Sequence, residues 1–140
     1  MIIVRIWDGL GNQLFQYAYA RSLVSKGFTV KLDLGKAYDS SFEKYKNHDK
    51  RENSLQKYNI SIPVAEPDEI KSFSFLKRES LSDRLKYHLA KHRAWKYSFY
   101  EEKEQHYDQR SLDIRDDSYI KGWFQSERYF SDIREVIEKE

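Results

Sequence analysis

Ile2-Ile3-Val4-Arg5-Ile6-Trp7 runs directly into Asp8-Gly9-Leu10-Gly11-Asn12-Gln13, and these twelve residues decide the fold. The first half is β-branched and nearly continuous, the pattern of a strand buried on both faces of a parallel sheet. The second half supplies a glycine turn and then a helix, predicted from Asn12 to Lys26. Leu14, Phe15, Ala18, Ala20, Arg21 and Leu23 provide its apolar face and small contacts, and Gly27 is a natural residue to follow its end. Phe28 to Leu34 reads as the next strand, which completes a βαβ unit with a right-handed crossover. The first N–H groups of such a helix have no partner within it, and the aligned peptide dipoles add positive charge there. An anion is welcome at that point, so the opening leans towards a nucleotide or nucleotide-sugar ligand.

Working outward, Gly35 to Asn59 is polar and aromatic with little periodicity, a loop with short helical pieces. Pro63 to Glu66 is a turn, and Pro67-Asp68-Glu69 starts a helix with proline at the first position and acids in the first turn. Leu76 to Tyr97 is read as a basic helix with Leu81, Leu85, His88, Leu89 and His92 on one side. Tyr97 to Tyr100 and Ser118 to Phe124 read as strands. A last helix is expected from Gln125 or Ser126 to Glu140, with Ile133, Val136 and Ile137 as its stripe and no Gly or Pro stop after it. The chain therefore reads as one that continues.

Length and composition set bounds. The 140 residues suit one domain. The chain is 34% charged yet 16% aromatic, and those rings serve first as core and second as surfaces on which sugars stack. A net charge of +2 gives no footing for nucleic acid as a partner. The absence of cysteine excludes disulfides and thiolate metal sites and fits a reducing compartment. Arg5 interrupts the first apolar run, so no secretory signal is visible, and no stretch approaches the roughly 20 apolar residues of a membrane span. A cytoplasmic protein is expected, at most peripheral at the inner face of the membrane.

Two chemistries fit the glycine loop on residues alone. Gly9 and Gly11 match the first half of the dinucleotide fingerprint, but Leu14 stands where the third glycine belongs; Asp33, ending the second strand, is placed like a ribose-binding acid. The same turn can also bind nothing. Asn12 and Gln13 add amides that can donate to a diphosphate oxygen, and Asn12 also suits an N-cap.

Trp7 to Arg21 (W-D-G-L-G-N-Q-L-F-Q-Y-A-Y-A-R) closely resembles the N-terminal signature of the family 11 glycosyltransferases, the α-1,2-fucosyltransferases, which reads G-G-L-G-N-Q-[LM]-F-Q-Y-A. Lys31-Leu32-Asp33-Leu34 and Gly122-Trp123-Phe124-Gln125-Ser126-Glu127-Arg128-Tyr129-Phe130 are similar to later family segments, the second to G-Y-[FW]-Q-S-E-K-Y-F. The three lie in the family's order, so the resemblance spans essentially the whole chain. It implies an α/β, Rossmann-like half of a GT-B type glycosyltransferase, with residues 1–140 the N-terminal, acceptor-side domain and the C-terminal donor-binding domain absent. It further implies inverting transfer of L-fucose from GDP-β-L-fucose to the 2-hydroxyl of a galactose-containing glycan, with no metal and no cofactor beyond that donor. The residues it places at the cleft are Gly9, Gly11, Asn12, Gln13 and Gln16, with Gln125 and Ser126 nearby and Asn12 foremost as a contact for the donor diphosphate. Charge on the leaving GDP would then be met by Arg or Lys, amides and helix termini.

The chain departs from the family in two places. The H-x-R-x-x-D-like motif whose arginine handles donor phosphates is missing, so the chain alone is expected to transfer no fucose. Asp8 replaces the first loop glycine, and a carboxylate beside a diphosphate is repulsive; it points away, caps locally or weakens the site. The alternative is a truncated, non-catalytic remnant or glycan- or nucleotide-binding module. Catalytic residues, the general base included, are not assigned.

Other clusters carry less. Glu101, Glu102, Glu104 and His106 fit no metal spacing and read as an exposed acidic turn. His88 and His92 are four apart without the intervening zincin glutamate and read as partly buried polar residues. Lys77, Arg78, Arg84, Lys86, Lys91, His92, Arg93 and Lys96 alternate with Leu81, Leu85, Leu89 and Trp95. A solvated helix face is the preferred reading; contact with anionic headgroups, near a lipid-linked acceptor, is the other.

Overall fold

The computed structural model describes residues 1–35, 54–73, 80–92, 96–103 and 106–140. Four short strands form one all-parallel sheet: β1 (Ile2–Arg5), β2 (Val30–Asp33), β3 (Ser98–Glu101) and β4 (Ser118–Lys121), in the order β2-β1-β4-β3. The register pairs Ile2 with Val30 on one side and with Ser118 on the other. β1 is central and buried, as its unbroken apolar run requires. Its alternate residues feed two cores. Ile2 and Val4 join Leu32 and Ile120 under α1 (Leu10–Ser25), while Ile3 joins Phe73, Ala90, Phe99 and Tyr119 on the opposite face. Each such aliphatic side chain contributes about 1.5–3 kcal/mol by leaving water. The protein is thus α/β, with helices on both faces of a parallel sheet.

α1 ends as its sequence says: Gly27 takes φ 90 and donates its N–H to the Val24 carbonyl at 2.9 Å. It begins two residues earlier than expected. Gly9 is the N-cap in extended conformation, because Asp8 turns the chain at φ 68. Asn12 is therefore the third helical residue and does not cap. The buried face also differs from the predicted one. Leu14 is exposed and Phe15 half-buried, while Gln13, Gln16, Tyr17 and Tyr19 are buried alongside Ala18, Ala20 and Leu23. Polar side chains enter this face because each finds an internal hydrogen bond, which offsets the cost of leaving water.

On the other face, α2 (Pro67–Lys71) starts at Pro67 with a reciprocal capping box between Glu66 and Glu69. The basic helix is shorter than predicted: α3 spans Leu81–Lys91, capped by Ser80, and residues 74–79 and 93–95 lie outside the described ones. Its expected apolar side is turned outward, Leu81 being 83% and Leu85 61% exposed. Ala90 and Tyr87 pack inward instead, the Tyr87 ring centroid 5.2 Å from that of Phe99.

The continuous C-terminal helix does not form. Two 3₁₀ turns (Glu127–Tyr129 and Ser131–Ile133) lead into the single-turn α4 (Arg134–Ile137). Aromatic anchoring explains the break. Phe124 stacks on Tyr19 with centroids 3.9 Å apart, Tyr129 meets Tyr19 edge-on, and Phe130 reaches Phe15, so the segment follows the surface of α1. Of the predicted stripe, Val136 is exposed and only Ile133 and Ile137 are half-buried. The loop expected over Gly35 to Asn59 falls mostly on residues 36–53, outside the described ones; its one described helical piece is a 3₁₀ turn at Ser54–Lys57.

Candidate functional site

The two motif segments meet at the C-terminal end of the sheet, where β1 and β4 part. The β1–β4 pairing runs from Ile2 with Ser118 to Val4 with Ile120. Past it, the Gln16 side chain joins the strands. Its Oε1 accepts the Trp7 N–H at 2.9 Å and its Nε2 donates to the Gly122 carbonyl at 3.1 Å. The indole N–H of Trp7 donates to the same carbonyl at 3.2 Å. Gln16 is fully buried, so this predicted cleft residue sets the spacing of the strands and does not face a ligand.

The β1 turn is built around Asp8. Its carboxylate accepts the Gly9 N–H at 2.8 Å through Oδ1 and the Asn12 amide at 2.7 Å through Oδ2. Its carbonyl accepts the Gln13 amide at 2.7 Å, and Gln13 Oε1 in turn accepts the Ser54 N–H at 2.9 Å. Asp8 is thus a local cap, one of the three roles open to it from sequence. Asp, with Asn, is among the few non-glycine residues that tolerate a left-handed φ, because its side chain can bond locally in this way. The consequence for Asn12 is direct: an amide hydrogen expected to meet a diphosphate is bound to a carboxylate. Gln13 is buried and faces inward as well.

Gly11 remains open, since a Cβ built there meets nothing within 4 Å. The first helical N–H to find a helical partner is that of Gln13, bonded to the Gly9 carbonyl at 3.0 Å. The N–H groups of Leu10, Gly11 and Asn12 precede it in the helix's first turn.

The β4 turn faces this loop. Gln125 is exposed and donates its amide to Asn12 Oδ1 at 2.5 Å, so these two predicted residues touch across 113 positions of chain. Ser126 is half-buried and begins the Glu127–Tyr129 turn without a side-chain cap bond. Phe124 is left-handed at φ 53 and wholly buried. What holds it there was not foreseen. Glu102, just past β3, accepts the N–H groups of Trp123 at 2.7 Å and Phe124 at 2.8 Å through Oε2, and the Tyr129 hydroxyl at 2.8 Å through Oε1.

Of the turn expected to be exposed, Glu102 is buried and Glu101 is half-buried on Lys121 at 3.2 Å, His106 is exposed, and Glu104 lies outside the described residues. Burial and the neighbouring Glu102 push the Tyr129 hydroxyl up to about 12, so it stays protonated and able to donate. The useful sequence signal was period-2 continuation: Ser98, Tyr100 and Glu102 share the face that packs under α1.

Trp7 and Trp123 form a tilted pair on the same end of the sheet, centroids 4.9 Å apart and planes at 52°, with the Lys121 ammonium 5.5 Å from the Trp7 ring centre. Both indoles are half-buried. Neither was singled out as a site residue.

Asp33 does not sit as a ribose ligand would. It is buried, its Oδ2 accepts Arg5 at 2.7 Å and the Tyr119 hydroxyl at 2.5 Å, and its Oδ1 accepts the Gly35 N–H at 2.7 Å. With both oxygens engaged internally, the dinucleotide reading loses its acid. Burial, reinforced by the Asp33 charge, pushes the Tyr119 phenol far above its ordinary range.

His88 and His92 are exposed, not partly buried, with ring centroids 4.7 Å apart. No group of three or more metal-ligating side chains occurs among the described residues. Among those residues no helix is long and apolar enough to cross a membrane. A concavity of about 290 Å³ lies beyond β3, lined in part by Glu102, His106, Asp108 and Arg110. None of the predicted cleft residues lines it, and its Arg110 guanidinium is bound to both Asp108 oxygens.

Comparison with protein-family profiles, with curated proteins and with solved structures gives no match.

Proposed function

We propose that this chain is the acceptor-side half of an inverting α-1,2-fucosyltransferase of GT-B type, acting together with a donor-binding half. The observation that carries the reading is the meeting of its two motif segments. Asn12 and Gln16 from the glycine-loop segment contact Gln125 and Gly122 from the segment more than a hundred residues later, at the carboxyl end of parallel strands. Ligands of open α/β sheets bind at that end. In the reaction, the 2-hydroxyl oxygen of a galactoside attacks the anomeric carbon of fucose in line. The bond to the β-phosphate oxygen breaks, GDP leaves with the electron pair, and the hydroxyl proton passes to a base. Asp33 is unsuited to that base, since Arg5, Tyr119 and Gly35 already occupy its oxygens.

The test joins the 140-residue chain to the donor-binding half of a working α-1,2-fucosyltransferase and supplies GDP-fucose with lactose. Fucosyllactose is expected from the fusion and none from the chain alone. A fusion that still binds GDP yet transfers no fucose would refute the reading. One observation favours the second reading, a non-catalytic glycan-binding module: the Asp8 carboxylate already lies against the loop's donors.

A further inference from the structure

We propose that His88 and His92, at the C-terminal end of α3, form half of a Zn²⁺ site, and that the same pair from a second copy of this chain completes it.

A spacing of four puts the two imidazoles one turn apart on one helix face, and the structure turns that face to solvent. The His92 N–H donates to the His88 carbonyl at 3.2 Å, so the backbone fixes the spacing. The ring centres lie 4.7 Å apart with the planes at 60°. Two imidazoles sharing a tetrahedral zinc at about 2.0–2.1 Å per bond hold their centres roughly 5 Å apart, so the pair stands close to chelating geometry. Among the described residues neither imidazole is hydrogen-bonded or ion-paired, and no such bond is given up when an ion binds.

The ligand count points to the occupant of this face. A structural zinc takes four protein ligands and a catalytic one three, whereas this pair supplies two. No third metal-ligating side chain joins the pair among the described residues. A second α3 alongside adds two more imidazoles and closes the shell with nitrogen donors, a set that suits zinc over magnesium or calcium. With all four positions filled the ion is structural and takes no part in the transfer proposed above.

The rest of the face fits the same pairing. Leu81 and Leu85 share it and are 83% and 61% exposed. Leu81, Leu85, His88 and His92 follow the alternating four-and-three spacing of a heptad's d and a positions, while Tyr87 and Ala90 face the protein's own core. Parallel helices related by a two-fold axis match a to a and d to d, so leucines meet leucines and four imidazoles converge. An antiparallel pair meeting at the imidazoles would carry the leucines apart. At 11 residues and two leucines per chain, the contact is too small to hold a dimer without the metal.

The test is sedimentation of the 140-residue chain in ZnCl₂, in MgCl₂ and in EDTA. A monomer is expected in EDTA and in magnesium, and a dimer in zinc, with calorimetric titration saturating at one ion for every two chains. His88→Gln and His92→Gln are each expected to stay monomeric at the zinc concentration that dimerises the native chain, with unchanged circular dichroism. Leu85→Ser keeps both imidazoles and is expected to weaken zinc-dependent dimerisation about tenfold. Zinc bound one per chain without association overturns the proposal, as do failure to bind zinc and a dimer that persists in EDTA. Zinc-driven association that survives in both histidine variants overturns it too, since the ligands would then lie elsewhere. Undiminished association of Leu85→Ser would remove the shared helix face.

Discussion

The turns that follow β1 and β4 face each other, and each carries a non-glycine residue in left-handed conformation, Asp8 at φ 68 and Phe124 at φ 53. They are held in opposite ways. The β1 turn is held mainly from within: the Asp8 carboxylate, the Asn12 amide and the Gln13 amide lie within five residues of one another. The β4 turn is held from another strand, by a buried carboxylate 21 and 22 positions earlier. The difference teaches where strain can be kept. A short polar side chain tolerates a left-handed backbone by bonding to its own neighbours, whereas phenylalanine needs tertiary contacts to impose it. Here those contacts are the Glu102 hydrogen bonds and the stack on Tyr19.

The sharpest way to break this contrast is Glu102→Ala. It strands two backbone N–H groups and removes the nearer acceptor of the Tyr129 hydroxyl, leaving that hydroxyl the His106 carbonyl at 3.3 Å, and about 3 kcal/mol of stability should be lost in urea unfolding. A loss under about 1 kcal/mol would mean that Phe124 packing alone imposes the turn. Next is Gln16→Leu, which keeps the side chain's bulk and removes the bonds to Trp7 and Gly122. About 2 kcal/mol should go, with a change in the fluorescence of the Trp7–Trp123 pair; unchanged fluorescence would show that the strands hold their spacing without it.

For the β1 turn the informative pair is Asp8→Ala against Asp8→Gly. Both lose the same hydrogen bonds, but only alanine pays for φ 68, so it should be the less stable by about 1 kcal/mol. Equal stabilities would place the turn's cost elsewhere.

The smallest effect is acid sensitivity. The Arg110 guanidinium is the largest influence holding the Asp108 carboxyl down, to about 2, with further bonds from the Arg110 N–H and the Tyr100 hydroxyl opposing the effect of burial. A depressed carboxylate stabilises the fold above its unfolded range. Its contribution is lost as pH falls from about 4 towards about 2. The Asp108 N–H also donates to the Tyr129 hydroxyl, so this tie belongs to the β4 side. Asp108→Asn should flatten the pH dependence of stability over that interval, and an unaltered slope would remove the tie from the account.

The sequence was most readable where structure is local. The apolar run of β1, the Gly27 stop and the Pro67 start each declare themselves within a few residues, and all three form as expected. It was least readable where a polar group is buried by something distant. Gln16 looked like a ligand contact because its partner, Gly122, lies 106 residues away. Glu102 looked solvent-facing for the same reason. Leu81 and Leu85 misled in the opposite sense, since helical spacing marks a stripe without saying which side the sheet lies on. Of the candidate site, the nearness of the two motifs was legible, whereas for Asp8 the sequence left three roles open and only the bonds to Gly9 and Asn12 choose among them.

Gln16 has a consequence of its own. Beyond the last β1–β4 pair the strands are linked by a carboxamide standing in for a rung of the ladder, one end on the Trp7 N–H and the other on the Gly122 carbonyl. The separation of the Trp7 N–H from the Gly122 carbonyl is then set by covalent bond lengths in a side chain. Such a gauge can be reset by one methylene: Gln16→Asn should draw the Trp7 N–H and the Gly122 carbonyl together or give up one of the two bonds. The spacing of the two turns is in that sense a one-codon property of the middle of a helix.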